Sequence, residues 1–224
     1  MKKAIAILLS LTIILVLAAC GNSASQTEQP STEDTSVESK ADTKSAESST
    51  DMENTDNQDV QDHKVLVAYF SATGTTKGVA VHIANGLNAD IYEIVPEEPY
   101  TDADLDYNDN NSRTTIEMND PNARPVISGS VENMEQYDTV FIGYPIWWGE
   151  APRIVSTFME SYDFSGKTIV PFCTSGGSGI GSSASNLERL TSGATWLDGR
   201  RLNGSDSQDT VMEWVNSLDL NLAE

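Results

Sequence analysis

Six consecutive uncharged residues, "SATGTT" at 71–76, place four hydroxyls (Ser71, Thr73, Thr75 and Thr76) around one glycine, Gly74. They stand between an apolar run ending at Phe70 and a helix-like run starting near Val79. A loop that turns from a strand into a helix aims backbone amides, and the positive end of the helix dipole, at whatever lies beyond it. Hydroxyls add donors, and a glycine lets the backbone approach closely. Such a loop can hold a phosphate without lysine or arginine. The same residues would also serve as a Ser/Thr helix cap with a turn glycine, so this loop alone does not decide.

Two further loops carry unusual chemistry. In "YPIWWGEAPR" (144–153), Trp147 and Trp148 are adjacent, preceded by Pro145 and Ile146 and followed by Gly149. Neighbouring side chains on an extended segment face opposite ways. At least one indole is therefore expected to meet solvent or a flat ligand, and aromatic faces suit a planar ring system. In "TSGGSGIGSS" (174–183), four glycines within six residues, beside Ser175 and Ser178, can bring backbone amides close to a partner. As a phosphate P-loop this stretch fails, because Ser182 stands where the lysine is required. As a nucleophile elbow centred on Ser178 it fails too, because Ile180 replaces the second glycine. The only histidine of residues 64–224 is His82, on a helix, which leaves a hydrolytic triad without its base. Cys173 falls inside an apolar run and reads as a structural thiol.

These loops need strands before them and helices after them, and hydrophobic period supplies both. "KVLVAYF" (64–70) is a continuous β-branched run, hence a buried strand. Val79, Ile83 and Leu87 then line one face of a helix. "IYEIV" (91–95) gives a second strand, stopped by Pro96, and the polar stretch from Asp102 to Asn122 is expected to hold a helix around 111–118. "TVFIGYP" (139–145) and "KTIVPFCT" (167–174) are the third and fourth strands, separated by the helix "RIVSTFMES" (153–161), with Pro152 suited to its first turn. A helix around 184–190 and a weaker fifth strand near 195–197 follow. A last helix lies in "SDSQDTVMEWVNSL" (205–218), with Ser205 and Gln208 at capping-box spacing. Five strands, each followed by a helix, predict an α/β fold: a doubly wound, five-stranded parallel sheet in three layers. In the order 2-1-3-4-5 the ligand crevice opens beyond the carboxyl ends of the first and third strands. All three loops gather there.

The N-terminus carries different information. "MKKAIAILLSLTIILVLAAC" sets two lysines before an apolar run from Ala4 to Ala19, which is the layout of an export signal. It falls short of the about 20 residues that span a membrane. "LAAC" resembles the lipobox of bacterial lipoproteins. That resemblance implies a signal peptide at 1–19, lipidation at Cys20 and an anchor on the extracytoplasmic face of a bacterial cell membrane. Residues 20–63 then read as a lipid-anchored, disordered acidic tether, with eleven acids against two lysines. Its flexible length corresponds to about 35–40 Å root-mean-square. Residues 64–224 form one domain with 23 acids and 9 bases, a balance that disfavours nucleic acid. With Cys20 acylated, Cys173 is the sole remaining thiol, so the exported domain relies on packing rather than a disulfide.

A phosphate loop after the first strand, aromatics after the third and glycines after the fourth make a specific combination. Residues 64–224 resemble the flavodoxins over essentially their whole length. "SATGTT" is similar to the flavodoxin phosphate loop T/S-x-T-G-x-T, while "PIWWG" and "TSGGSGIGSS" look like the two loops that bracket an isoalloxazine ring in a flavodoxin-like lipoprotein group. The resemblance implies FMN as cofactor, with Ser71, Thr73, Gly74, Thr75 and Thr76 on the phosphate. It implies Ile146, Trp147 and Trp148 on one ring face, flanked by Pro145 and Gly149. Ser175, Gly176, Gly177 and Gly179, with Ser178 among them, would lie along the pyrimidine edge. The 174–183 loop departs from typical flavodoxins in having no tyrosine, which leaves the second ring face without an assigned cover. "SGAT" (192–195) is similar to the acceptor of covalent flavin transfer, but Arg189 replaces the aspartate of that motif. The stretch reads more simply as a turn into the fifth strand.

The function implied is electron carriage, in which FMN is held in place and redox proteins with basic surfaces dock on an acidic one. A carrier needs no catalytic acid, base, nucleophile or metal. Two alternatives use the same fold: an FMN-dependent NAD(P)H or quinone oxidoreductase, and a surface binding protein that has lost its flavin.

Overall fold

The computed structural model describes residues 63–220. The expected signal peptide, Cys20 and the tether up to residue 62 lie outside the described residues. Strand β1 (Lys64–Tyr69) enters helix α1 (Thr75–Leu87), and β2 (Asp90–Glu93) pairs alongside β1. A two-residue strand β3 (Val95–Pro96) leads through a long segment to α2 (Arg113–Asn119) and β4 (Ile127–Ser128). After a single 3-10 turn come β5 (Tyr137–Pro145), α3 (Arg153–Glu160), β6 (Thr168–Thr174) and α4 (Ser183–Glu188). The last elements are β7 (Thr195–Trp196), β8 (Arg200–Leu202) and α5 (Gln208–Asn216). The main sheet runs β2-β1-β5-β6-β7, with β8 also on β6, and every pairing in it is parallel. That is the expected 2-1-3-4-5 order, and the fold is flavodoxin-like α/β.

Residues two apart on a strand share a face, and here both faces are buried. Val65, Val67 and Tyr69 of β1, Phe141 of β5, and Val170 and Phe172 of β6 join Val79 and Ile83 of α1 and Val211, Trp214 and Val215 of α5. The alternate residues Leu66, Ala68, Val140, Ile142, Tyr144, Ile169 and Cys173 join Ile154, Val155 and Phe158 of α3 and Leu187 of α4. Each large apolar side chain so buried contributes about 1.5–3 kcal/mol. This explains why the strand sequences read as continuous apolar runs rather than alternating ones.

Three expectations need correction. The second strand is not continuous over 91–95. β2 ends at Glu93, and Val95–Pro96 pairs antiparallel with Ile127–Ser128 in a separate two-stranded sheet. The fifth strand is two pieces. Ile169 pairs with Trp196 and Phe172 with Arg200, so three residues of the fifth strand (197–199) oppose two of β6 (170–171). The bulge sits opposite Pro171, which has no amide to give the ladder. Finally, the cap of α5 is Ser207, whose Oγ accepts from the Thr210 amide. Ser205 instead lies in a turn closed by the Asn203 amide on Asp206 Oδ2 at 2.8 Å.

Candidate functional site

A cavity of about 440 Å³ opens at the carboxyl ends of β1, β5 and β6. That volume lies in the range of small-molecule pockets. Every residue lining it is uncharged. Ser71, Thr73, Thr75 and Thr76 form one wall, Pro145, Ile146, Trp147 and Trp148 another, and Ser175 and Gly176 close a third side. Of the expected site residues, Gly74, Gly149, Gly177, Ser178 and Gly179 are not in the lining.

The phosphate-loop wall is built by Gly74, the N-cap of α1, whose φ of +84° lies in the left-handed region that favours glycine. No side chain caps this helix. The same holds for α3 and α4, whereas α2 and α5 have their first-turn amides met by Ser112 and Ser207. The leading amides of α1, which start beside this cavity, are thus open to an acceptor from outside the chain, whether water or a ligand. Thr73 and Thr75 hydroxyls lie 3.4 Å apart at the exposed side. Thr76 is buried, and its Oγ1 lies 2.8 Å from Oγ1 of Thr174, the last residue of β6. This hydrogen bond ties the phosphate loop to the adjacent strand end. Two hydroxyls carry two protons and use one between them, and either can be the donor, so the pair keeps one further donor. Of the cations near this wall, Lys77 Nζ lies 2.7 Å from Glu93 Oε2, and Arg201 donates through one guanidinium nitrogen to the Ser175 carbonyl and to Asn203, while its buried Nε has no partner among the described residues.

The aromatic wall rests on a tight hairpin. Trp147 and Glu150 exchange both backbone hydrogen bonds at 2.9 Å. Between them Trp148 (φ +49°) and Gly149 (φ +82°) are both left-handed, the pattern of a type I′ turn. Holding a tryptophan there costs about 1–2 kcal/mol. The two indoles have separate fates. Trp147 is half-buried, its ring edge-on to Phe70 and Tyr100, each at 5.5 Å between centroids. Trp148 remains 48% exposed at the cavity rim. Behind them Arg113 stacks 4.2 Å over the Tyr100 ring and pairs with Glu117, which accepts the Tyr100 hydroxyl at 2.7 Å. Burial and that carboxylate push the Tyr100 phenol well above its ordinary range. Glu150 fixes the hairpin to the end of the glycine loop through Ser182 Oγ at 3.1 Å and to α4 through Asn186 Nδ2 at 2.7 Å.

The glycine loop closes on itself. Ser175 Oγ donates to the Ser178 carbonyl and accepts from the Gly177 amide. A side chain at Gly176, Gly177 or Gly179 would meet nothing within 4 Å, so packing within the chain does not require these glycines. Cys173 is fully buried, and burial pushes its thiol up to about 11. Thr195 pairs with Thr168 at the start of β6, about 20 Å along the strand from the cavity end.

Four lining residues that matter carry no assignment from the sequence: Thr174, which ends a strand and opens the glycine loop, and Leu105, Tyr107 and Thr114, which come from the polar segment before and within α2. A lone tyrosine among aspartates and asparagines was the available signal.

The Flavodoxin family model matches residues 64–218. The chain belongs to the flavodoxin family. Within that family it is similar to a candidate flavoprotein from Bacteroides eggerthii at 48% identity, covering 70% of this chain and 99% of that one with a TM-score of 0.67. A second, from Bacteroides uniformis, is 47% identical over 69% of this chain and 98% of that one, at a TM-score of 0.66. A Lactobacillus acidophilus flavoprotein crystallised with FMN shares the fold at 21% identity, covering 70% and 99% of the two chains with a TM-score of 0.54. No functionally curated protein matches the chain. The site suits a flat phosphorylated cofactor in its donor set: an uncapped helix start and hydroxyls at one end, aromatic faces at the other, and no fixed charge between.

Proposed function

We propose that this flavodoxin-family protein binds FMN and carries electrons on the extracytoplasmic face of a membrane, held there through acylated Cys20. One observation carries the reading: the start of α1, which no side chain caps, and the hydroxyls of 71–76 border the same charge-free cavity as Trp147 and Trp148. Bound there, FMN supplies one- and two-electron redox chemistry. The residues do the holding. Amides and hydroxyls of the 71–76 loop accept a dianion without setting a fixed cation beside the ring, and the aromatic wall shields a ring face from water. The segment that carries Leu105 and Tyr107 bears Asp102, Asp104, Asp106 and Asp109, whose charges disfavour added negative charge in the cavity and lower the reduction potential. The same acids suit docking by redox proteins with basic surfaces.

The test is a visible spectrum of the purified protein before and after FMN, followed by reduction and reoxidation by an added acceptor. Tight FMN uptake with negligible steady-state NAD(P)H oxidation is the expected result. A protein that stays colourless after mixing with FMN contradicts the reading, and rapid NAD(P)H-driven quinone reduction replaces carriage by enzyme activity. For the anchor, Cys20→Ser is expected to move the protein from the membrane fraction to the soluble one.

A further inference from the structure

Tyr107 is an exposed aromatic with no role in the fold. Among the described residues, the large apolar side chains left exposed are Ile91, Val95, Tyr107, Ile116, Val126 and Trp148. Tyr107 is the most exposed of them, at 74%, and only it and Trp148 line the cavity. Its ring joins none of the aromatic pairs among the described residues, whereas Trp147 is already packed against Phe70 and Tyr100.

The backbone that carries this ring is pinned on both sides. Asp104 Oδ2 accepts from the amide and hydroxyl of Thr101 at 2.8 and 2.7 Å. The Asp104 carbonyl accepts from the amide and hydroxyl of Thr114 at 3.1 and 2.6 Å. Asp106 and Asp109 then accept the amides of Asn108 and Asn111 at 2.9 and 2.8 Å. Such a loop has little backbone left to order on binding, which is how preorganisation yields affinity. An aromatic ring held in water at the mouth of an aromatic-walled cavity, on a fixed backbone, is explained by a planar partner that is absent from the chain itself.

We propose that Tyr107 is the second aromatic cover of the flavin ring, supplied by the segment between β3 and α2 rather than by the glycine loop after β6. The inference rests on the FMN reading and deepens it by assigning the ring face that the 174–183 loop leaves uncovered. A ring contact and a phosphate contact have different signatures: the first acts on riboflavin as strongly as on FMN, the second on FMN alone.

The experiment is a fluorescence-quenching titration of full-chain wild type, Tyr107→Ala and Tyr107→Phe with FMN and, separately, riboflavin. Because Tyr107 is solvent-exposed, its replacement leaves the core intact, which far-ultraviolet circular dichroism checks. Tyr107→Ala is expected to weaken both flavins by the same factor, about tenfold, and to raise the residual fluorescence of bound flavin. Tyr107→Phe, which keeps the ring, is expected to stay within about twofold of wild type. Wild-type flavin binding with Tyr107→Ala indistinguishable from it overturns this inference and leaves the FMN reading standing. A wild type that binds neither flavin overturns the FMN reading and this inference with it.

Discussion

Thr76 and Thr174 share a single hydrogen bond of 2.8 Å, both buried, at 1% and 3% exposure, and both on the cavity wall. Thr76→Val preserves shape and removes one hydroxyl, so its consequences separate into two parts. The first is stability. Losing the partner of a buried hydroxyl costs about 1–3 kcal/mol, measurable by urea denaturation without ligand. Thr174→Val is expected to cost a similar amount, and the double variant to cost less than the sum by roughly 1 kcal/mol. The second part is ligand choice. A hydrogen bond to a charged phosphate contributes roughly 1.5–3 kcal/mol, which is about 10- to 150-fold in dissociation constant. Thr76→Val is therefore expected to weaken FMN by that factor while riboflavin binding stays nearly constant. Parallel titrations with the two flavins measure it. An equal drop for both flavins means a distorted wall rather than a lost phosphate donor. An unchanged FMN affinity refutes the placement of Thr76 on the phosphate.

Other consequences are equally concrete. At Gly143 of β5 an added Cβ would lie 2.2 Å from the Phe172 ring, so Gly143→Ala overpacks the sheet face and is expected to destabilise by about 1–3 kcal/mol, read from the urea midpoint. The combined Asp102→Asn, Asp106→Asn and Asp109→Asn variant keeps the side-chain oxygens that accept from Asn108 and Asn111. It is expected to raise the flavin potential by on the order of tens of millivolts at low salt, an effect that fades as salt screens it. The hydrogen bond and charge of Arg124 hold the Glu160 carboxyl below its ordinary range. A carboxyl depressed in the folded state adds stability above its unfolded value and loses it as pH falls through the folded one. The difference in stability between wild type and Arg124→Gln is thus expected to be present at neutral pH, to be less than about 1 kcal/mol because the pair is partly exposed, and to vanish in acid.

The sheet was legible because its strands are buried on both faces, and runs such as "KVLVAYF" and "TVFIGYP" have no other plausible home. What period could not show was pairing. Two-residue strands such as Val95–Pro96 and Ile127–Ser128 carry no periodic signal and meet only through the fold. The bulge in the fifth strand was latent in Pro171, whose missing amide matters only once a neighbour is aligned with it. Ser205 and Ser207 both precede a helix-like run, and the Asn203–Asp206 turn decides between them. At the site, the three loops announced themselves by composition: hydroxyls, paired indoles and glycines. Tyr107 did not, because a polar, acidic stretch reads as solvent-facing until the sheet brings its middle to the crevice. Nor did Thr174, since a strand's last residue gives no hint of its partner across 98 positions.

The central claim is that main-chain amides and hydroxyls alone hold a phosphate dianion at the start of α1. Phosphorus NMR of FMN mixed with the protein addresses it most directly, because a free phosphate monoester takes up its second proton near about pH 6. The account predicts a displaced phosphorus line for bound FMN that stays fixed between about pH 5.5 and 7.5, since donors without charge partners still favour the dianion. A line at the position of free FMN, titrating as free FMN does, contradicts it.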